Sequence, residues 1–336
     1  MSTATTTPPV LRLPGASKEL AARLADGLAR VEALITERTA NEDDFITEAN
    51  RHLAEAGGKR FRPLLAMLMA ELGEGINDEV IAAAAGVELT HLASLYHDDV
   101  MDEADLRRGA PSANAQYNNS TAILVGDLLF GTASDIIADL GPVAVKIQAQ
   151  TFIRLCSGQI RDDRPCPDDQ DPREYYRGVL ADKTGVLIAT AARYGAMFGG
   201  ASEEVIALAT EYGERLGIAF QMADDLIDIS SESMEMGKMP GTDLREGKRT
   251  LPVLNVLASD DPADDELKEL LLGDVSDDAV LARALELLRA HSAMEAARAE
   301  TIAVGEGATT VLADLPDSDA KSALIALAEG VVHRAG

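Results

Sequence analysis

Residues 92–102 read LASLYHDDVMD, and residues 216–228 read LGIAFQMADDLID. In both stretches an apolar run ends in the pattern Asp-Asp-x-x-Asp. Aspartates four positions apart lie on one face of a helix, about 6 Å apart along its axis, so each pattern predicts a helix that presents a pair of carboxylates. Like charges this close repel each other, and a divalent cation supplies the compensation. Because Mg²⁺ takes few protein carboxylates and completes its coordination with water and phosphate oxygens, the pattern indicates a magnesium site that also holds a diphosphate.

A single pattern of this kind is more often a solvated acidic face, and the chain carries other aspartate pairs, such as Asp277-Asp278. Those other pairs lie beside proline or in strongly polar stretches. The pairs Asp98/Asp102 and Asp224/Asp228 instead follow apolar runs, which places them at the ends of buried helices. Two such ends in one chain favour a functional site over two solvated surfaces.

The amino-acid composition favours a helical protein and argues against two classes of partner. The chain has 336 residues, of which 46% are hydrophobic and 4% aromatic, and it contains no Trp. Its long Ala-, Leu- and Glu-rich stretches favour helix over strand. A formal net charge of −27 argues against a nucleic-acid partner, which requires a basic face, and anionic lipid would repel such a chain.

The cysteines and the ends of the chain bear on localisation. Cys156 and Cys166 do not form a Cys-x-x-Cys pair, a usage that suits a reducing cytoplasm. No apolar run approaches the roughly 18 residues of a membrane span. Residues 1–9 lack the charged-then-apolar order of a signal peptide. We therefore expect a cytoplasmic protein without a transmembrane segment.

Helical periodicity begins near Lys18 and recurs almost to the end of the chain. The predicted helices cover 17–38, 42–55, 62–73, 78–101, 120–138, 142–159, 172–181, 183–198, 202–229, 250–257, 264–271, 277–304 and 317–333. No run of alternating β-branched residues predicts a strand. The sequence predicts a disordered tail over residues 1–16 and a single all-α domain over residues 17–336.

Basic residues stand out against this acidic background. Residues 57–63 read GGKRFRP, which puts three cations beside a glycine pair that lets the backbone approach an anion. The alternative, an ordinary basic helix start, is weak because cations oppose the helix dipole unless an anion is bound. Arg107 and Arg108 follow the first aspartate pattern. They either neutralise it or bind a phosphate beside the metal.

Three further features have weaker signals. His91 lies seven residues before Asp98 on about the same helix face, although a lone His on an apolar helix is more often a core residue. Lys183-Thr184 adds another cation. Residues 237–252 read GKMPGTDLREGKRTLP, a glycine-rich segment directly after the second aspartate pattern that is well placed to fold over a substrate.

From about residue 45 to about residue 256 the chain resembles the trans-isoprenyl (polyprenyl) diphosphate synthase family. The resemblance rests on GGKRFRP, on HDDVMDEADLRRG at 97–109, on Gly158-Gln159, on Lys183-Thr184, on FQMADDLID and on the segment 237–252, all in the family's order. It implies an all-α bundle of antiparallel helices around a deep central cavity, and a homodimer. Two positions depart from the common pattern. Ser112 stands where Thr is usual, and Tyr117-Asn118-Asn119 replaces aromatic-Gly-Asn.

The resemblance also implies roles for individual residues. Asp98, Asp102, Asp224 and Asp228 would bind Mg²⁺, with Mn²⁺ as an alternative, and Asp99 and Asp225 would support them. Lys59, Arg62, His91 and Arg108 would bind isopentenyl diphosphate. Arg107, Lys183, Gln221, Lys238 and Lys248 would contact an allylic diphosphate or the ions. Thr184 and Gln221 would stabilise an allylic cation with their oxygen dipoles.

The implied reaction ionises the allylic diphosphate, adds isopentenyl diphosphate to the cation and then loses a proton. Ala93, five residues before Asp98, stands where short-chain enzymes carry a large aromatic residue, so we expect a product longer than geranylgeranyl diphosphate, of the kind used for quinone side chains. A short-chain synthase is the alternative if a bulky residue closes the pocket further down. A terpene cyclase of similar fold needs neither GGKRFRP nor a second intact aspartate pattern, and a non-catalytic partner subunit usually loses one pattern.

Overall fold

In the computed structural model, residues 13–231 and 240–335 are described, and α-helices follow one another with short connections. The first helices are α1 (Lys18–Arg38), α2 (Asp44–Glu55), α3 (Phe61–Ala70), α4 (Asp78–Met101), α5 (Ala113–Tyr117), α6 (Asn119–Ala138) and α7 (Pro142–Asp162). The later ones are α8 (Pro172–Leu180), α9 (Val186–Phe198), α10 (Glu203–Ser230), α11 (Thr242–Arg245), α12 (Leu251–Leu257), α13 (Asp265–Leu272), α14 (Asp278–Ala290), α15 (Ser292–Val311) and α16 (Asp319–Val332). A π-helical turn, Ala181–Gly185, joins α8 to α9, and 3₁₀ turns occupy Pro262–Asp264 and His333–Ala335. The predicted all-α fold class is confirmed.

The predicted tail over residues 1–16 falls largely outside the described residues. Leu13 and Ala16 are described, and both pack against the main core. The division of the chain into a tail and a single domain stays a prediction.

Polar caps fix where the two longest helices begin. At the start of α4, Asn77 Oδ1 accepts a hydrogen bond from the Val80 amide at 2.9 Å. At the start of α10, Ser202 Oγ accepts one from the Val205 amide at 3.3 Å. Such caps satisfy amides that have no partner within their own helix. From these starts the helices run for 24 and 28 residues, so both aspartate patterns fall at their carboxyl ends.

These two helices lie in the interior of the bundle. α4 packs against α3, α6 and α9, and α10 packs against α9 and α15. Leu89 and Tyr96 of α4 are fully buried and share one core cluster with Leu216 of α10. A helix that is apolar around most of its circumference is stable in water only when other elements surround it. The carboxyl ends of α4 and α10 therefore keep Asp98, Asp224 and Asp228 partly buried, whereas Asp102 at the very end of α4 is exposed.

A short hairpin departs from the prediction that the chain has no strand. β1 (Leu106–Arg107) pairs antiparallel with β2 (Ala110–Pro111). Arg108 and Gly109 form the turn, and both take positive φ, 55° and 79°. With two residues in each strand, no alternating pattern of side chains could reveal the hairpin from sequence.

The predicted helix over 277–304 is two helices, α14 and α15. The break falls at His291, whose Nδ1 accepts a hydrogen bond from the Ala293 amide at 3.0 Å, while its Nε2 lies 2.9 Å from Asp264 Oδ1. The surrounding sequence has high helical propensity and contains neither Gly nor Pro at this point. The helix break depends on the His291 cap, which Asp264 holds from 27 residues earlier in the chain, so no local sequence pattern predicts it.

α6 is the described helix whose length and composition would suffice to cross a membrane, with 20 residues and a mean hydropathy of 1.5. The expectation that no apolar stretch is this long fails for α6 on those two criteria. In the fold α6 packs along α4, and its Ala122, Leu129 and Ala133 are fully buried. Asp127 and Asp135 stand exposed on its outer side. These contacts make α6 a helix of the bundle.

Candidate active site

The two aspartate patterns face one cavity of about 1090 Å³. Its walls come from α4 and α10, the loop before α3, α7, the π-helical turn and α16. All the predicted site residues within the described part of the chain line it. These are Lys59, Arg62, His91, Asp98, Asp102, Arg107, Arg108, Lys183, Thr184, Gln221, Asp224, Asp228 and Lys248. Lys238 lies outside the described residues, and the role of each residue stays a prediction.

In the first aspartate pattern the outer aspartates reach the cavity and the middle one does not. Asp98 and Asp102 lie on the wall, whereas Asp99 is fully buried. Asp99 accepts a hydrogen bond from the Ala113 amide at 2.7 Å and one from Arg107 Nε at 2.6 Å. Arg107 also reaches to 3.6 Å from Asp102. Asp99 thus ties the hairpin to α4 and holds Arg107 beside the carboxylates.

The second pattern differs in that all three of its aspartates contribute to the wall. Asp224 and Asp228 are partly buried, and Asp225 is almost fully buried. Asp225 accepts hydrogen bonds from Tyr176 Oη at 2.6 Å and from Gln221 Nε2 at 3.0 Å. The buried aspartate of each pattern therefore organises neighbouring side chains.

Asp228 connects the second pattern to the segment that follows it. Its two carboxylate oxygens accept hydrogen bonds from the amides of Thr242 and Asp243, both at 3.2 Å. These amides belong to the first turn of α11. The glycine-rich segment is therefore anchored at the carboxyl end of α10.

Arg334 is a site residue that the sequence did not reveal. Its guanidinium lies 3.4 Å from Asp224 and 5.3 Å from the centre of the Phe220 ring. The contact joins residues 110 positions apart, and the final helical turn carries no motif. Only the fold brings this cation to the second aspartate pattern.

Burial controls the charge of the carboxylates. Desolvation raises the pKa of Asp98 to about 6, opposed by Lys183 and reinforced by Asp102. Burial, with Asp243 nearby, likewise raises the pKa of Asp225 to about 7. Burial therefore disfavours the charged forms of Asp98 and Asp225, a condition that a bound cation relieves.

The donor set fits a hard divalent cation. Each pattern offers two carboxylates on the wall, and within the described ranges no three His, Cys, Asp or Glu side chains gather into one ready-made metal cluster. Paired carboxylates with open positions suit an ion such as Mg²⁺, which keeps waters and binds substrate phosphates. The chemistry of the donors agrees with the predicted metal site.

Basic residues line another part of the same cavity and form a basic pocket. Gly57 and Gly58 take φ of 105° and 141°, values that favour glycine. A Cβ at Gly58 would lie 2.9 Å from the Arg108 guanidinium, so glycine also makes room for that side chain. Burial lowers the pKa of Arg62 to about 10, and the group stays charged at neutral pH. Lys59 lies exposed at the mouth.

Glu88 and Arg60 also line this pocket. The sequence predicted no role for Glu88 and pointed to Arg60 only as one of the cations of GGKRFRP. Arg60 pairs with Glu32 and lies 3.3 Å from the buried carboxylate of Glu88. Burial raises the pKa of Glu88, opposed by Arg62, Arg60 and Arg108. In the sequence, Glu88 is distinguished only as a single acidic residue within the apolar run of α4. Glu88 balances the arginines that surround an anion site.

His91 lies on the same wall as Asp98, as the spacing predicted. Burial, together with Arg62 and Arg108, lowers the pKa of His91 well below its usual value. The imidazole is therefore neutral. A neutral ring donates a hydrogen bond to a phosphate oxygen without adding to the positive charge.

Lys183 and Thr184 lie in the π-helical turn, a local unwinding that is common at functional sites. α7 presses closely against this turn, since a Cβ at Gly158 would lie 2.7 Å from the Asp182 carbonyl carbon. Asp182 accepts hydrogen bonds from Arg154 Nε at 2.8 Å and from an Arg161 nitrogen at 3.1 Å. The Gly158-Gln159 pair thus marks the point where α7 supports the turn.

Hydrogen bonds orient the polar groups near the reacting centre. Thr184 Oγ1 donates to Gln221 Oε1 at 3.2 Å. Lys183 Nζ lies 2.5 Å from Asp162, and Lys248 Nζ lies 2.6 Å from Glu246. Although burial opposes the charge of Lys248, the hydrogen bond to Glu246 raises its pKa above the usual value. Lys248 therefore remains charged.

One end of the cavity is apolar. Leu95, Leu155 and Leu187 line it, on α4, α7 and α9. Ala93, predicted to form the floor, is fully buried in the main core, and its neighbours Ser94 and Leu95 form the wall. We call the region around these three leucines the tail end of the cavity.

The sequence matches the polyprenyl synthetase family over residues 43–288. It is 47% identical over 317 residues to a nonaprenyl diphosphate synthase of Mycobacterium tuberculosis, covering 94% of this chain and 95% of that one. The fold matches a geranylgeranyl pyrophosphate synthase from Corynebacterium glutamicum, complexed with calcium and isoprenyl diphosphate, with a TM-score of 0.85, 45% identity and coverage of 95% and 98%. It also matches a decaprenyl diphosphate synthase from Rhodobacter capsulatus, with a TM-score of 0.86, 37% identity and coverage of 95% and 99%.

The chain belongs to the polyprenyl synthetase family and is an enzyme that transfers prenyl groups. The family resemblance seen in the sequence is confirmed.

Proposed function

We propose that this enzyme condenses isopentenyl diphosphate with an allylic diphosphate and repeats the step to build a long all-trans polyprenyl diphosphate. One observation carries the proposal: two carboxylate pairs and a separate basic pocket share a single cavity. Such a cavity accommodates two anions at once, one beside the carboxylates and one beside Lys59, Arg62, His91 and Arg108.

Asp98, Asp102, Asp224 and Asp228 would hold Mg²⁺, and Mn²⁺ would bind the same oxygens. When bound, the metal neutralises the charge that develops on a departing diphosphate. Arg107, Lys183 and Lys248 would bind the same diphosphate directly. Cations fixed in place before the reaction stabilise the developing charge without reorganisation.

The chain's other groups protect and place the carbocation. Because Thr184 donates its proton to Gln221, its oxygen lone pairs are free to face an allylic cation. Leu95, Leu155 and Leu187 keep water from that cation and receive the hydrocarbon. The double bond of isopentenyl diphosphate attacks the cation, so no side-chain nucleophile takes part. The proton lost after condensation passes to the departing diphosphate.

We assign a product longer than geranylgeranyl diphosphate, with use in a quinone side chain. Small residues just before the first aspartate pattern, Ala93 and Ser94, and the apolar tail end of the cavity support this assignment. Relatives of similar identity are named for nonaprenyl, decaprenyl and geranylgeranyl products, so similarity alone leaves the length open.

We also propose that the enzyme is a cytoplasmic homodimer. Both cysteines are free, in keeping with a reducing compartment. Exposed apolar side chains on α6 and α7, among them Leu124 and Ile153, offer a surface for a second copy.

Labelled isopentenyl diphosphate supplied with each allylic starter tests the function. Chromatography of the dephosphorylated products should show chains that grow by whole prenyl units only when both substrates and Mg²⁺ are present. Cyclic hydrocarbon from an allylic diphosphate alone would instead identify a terpene cyclase. Absence of any chain growth would refute the proposal.

A further inference from the structure

Two buried threonines form a polar bridge across the walls of the tail end. Thr151 of α7 and Thr190 of α9 are 4% and 5% exposed, and their hydroxyl oxygens lie 2.6 Å apart. Thr151 lies four residues before Leu155, and Thr190 lies three residues after Leu187. Each is therefore about one helical turn beyond a leucine of the tail end, on the side away from the aspartates.

The bridge is firmly tied to both helices. Thr151 Oγ1 also lies 2.9 Å from the Ile147 carbonyl, and Thr190 Oγ1 lies 2.8 Å from the Val186 carbonyl. The two hydroxyl groups have only two protons for these two contacts and the contact between them, so one proton is shared between two acceptors. The two helices are held together at this level by a hydrogen bond rather than by packing alone.

Beyond the bridge lies a buried cluster of mixed small and large apolar side chains. Ala83 and Val87 of α4, Ala144 of α7 and Ala191 of α9 belong to one buried cluster that also includes Leu187. The wall of the tail end therefore continues into this cluster. The next polar contact between α7 and α9 in it is the hydrogen bond that Tyr194 Oη donates to the Ala144 carbonyl at 2.7 Å, and Tyr194 lies about one helical turn beyond Thr190. A hydrocarbon that passed the bridge would therefore gain space for about one further prenyl unit before it met Tyr194.

We propose that the Thr151–Thr190 bridge determines product length by closing the tail end. This inference rests on the proposed function. A growing chain that reaches the bridge must separate α7 from α9, and one hydroxyl oxygen then loses the hydrogen bond it accepts in an apolar site. Elongation stops where that cost exceeds the gain from burying another prenyl unit.

The test replaces the hydroxyls without changing side-chain shape. Thr151→Val/Thr190→Val keeps two branched side chains but removes the bridge. The double variant should make a main product at least one prenyl unit longer than the wild type, with the rate of the first condensation unchanged. Thr190→Ser, which retains the hydroxyl, should leave the length unchanged.

Thr301→Val is the matched control. Thr301 is 1% exposed and donates to the Ala297 carbonyl at 2.9 Å, but it lies on α15, away from the cavity. Its product should match that of the wild type. If the double variant fails to fold, Thr190→Val alone serves the same comparison.

Two results overturn different statements. An active Val variant with the wild-type product, or with a shorter one, refutes the role of the bridge. A wild-type protein that elongates no allylic diphosphate refutes the proposed function instead.

Discussion

At the scale of single residues, the aspartates of one pattern serve different ends. Asp98 faces the cavity, and burial raises its pKa to about 6, whereas Asp99 is buried and bonded to Arg107 and Ala113. Function and stability are therefore separated between two adjacent residues. This separation can be measured directly.

Asp98→Asn should lower kcat/KM by about 100-fold or more, because the proposed metal ligand loses its charge. Its thermal midpoint should stay equal or rise, since a carboxylate disfavoured by burial is gone. Asp99→Asn should instead cost about 2 kcal/mol of stability by weakening a buried, charge-assisted hydrogen bond. Steady-state kinetics and thermal unfolding of both variants check this. Normal turnover by Asp98→Asn would contradict the assigned metal site.

The lowered pKa of buried His91 predicts that the stability of the protein depends on pH. That pKa is depressed in the folded protein, so below about pH 6.5 the unfolded chain takes up a proton that folded His91 does not. The free energy of unfolding therefore falls as the pH drops below this value, by up to about 1.4 kcal/mol per pH unit. His91→Gln should remove this contribution, as measured by denaturant unfolding between pH 7 and pH 5. The same change at exposed His333 is the control, and equal slopes in the two variants would contradict the prediction.

Asn118 occupies a conformation that suits glycine. Its φ of 89° and ψ of 162° lie in a region that is essentially restricted to glycine. Glycine is also usual at this position in the family that the sequence resembles. Asn118 also caps α6, accepting a hydrogen bond from the Thr121 amide at 3.1 Å. Because glycine is nearly as good a cap, Asn118→Gly should raise the free energy of unfolding by about 1 kcal/mol. Differential scanning calorimetry should show a thermal midpoint about 1–2 °C higher. A lower midpoint would show that the cap outweighs the strain.

At the scale of elements, the π-helical turn links packing to catalysis. Gly158 lets α7 lie against the turn that carries Lys183 and Thr184. Gly158→Ala should move the turn away from α7 and lower kcat/KM at least 10-fold, because small displacements of catalytic groups carry large costs. Gly131→Ala on α6 is the control, since a Cβ there meets nothing within 4 Å. Equal activity of the two variants would show that the turn tolerates the shift.

The long helices and both aspartate patterns could be predicted because periodicity and local spacing encode them. α4 was predicted over the residues it occupies, 78–101. The predicted boundary between the helices 172–181 and 183–198 falls within the π-helical turn, but the π-helical form was not predicted, because the turn packs against Gly158 in a distant part of the chain. Likewise Glu88 and Arg334 joined the site only through contacts between distant parts of the chain. Sequence therefore predicted the chemistry of the cavity better than the contacts that orient it.

At the scale of the whole molecule, the outer faces of α6 and α7 stand apart from the charged surface. Leu124 is 66% exposed on α6, and Ile153 and Ile160 are 65% and 61% exposed on α7. α6 and α7 also pack against each other. Exposed apolar side chains on adjoining helices are typical of a protein interface. A second copy is the occupant we propose for this surface.

Charge sets a condition on that association. Each chain carries a formal net charge of −27, so two copies repel each other and apolar burial must outweigh the repulsion. Salt screens the repulsion without weakening the apolar contact. The dissociation constant of the dimer should therefore decrease as the ionic strength rises. Sedimentation analysis at low and high salt measures this trend.

Leu124→Glu places a further negative charge within the proposed interface and should convert the dimer to monomer at micromolar concentration. Leu272→Glu is the control, because Leu272 is 61% exposed on α13 and lies outside α6 and α7. Light scattering after size-exclusion chromatography distinguishes the two forms, and thermal unfolding confirms that both variants are folded. If the Leu124→Glu protein remains dimeric, the dimer interface lies on another surface. Since α6 also packs along α4, which carries the first aspartate pattern, the monomer should also elongate chains more slowly than the dimer.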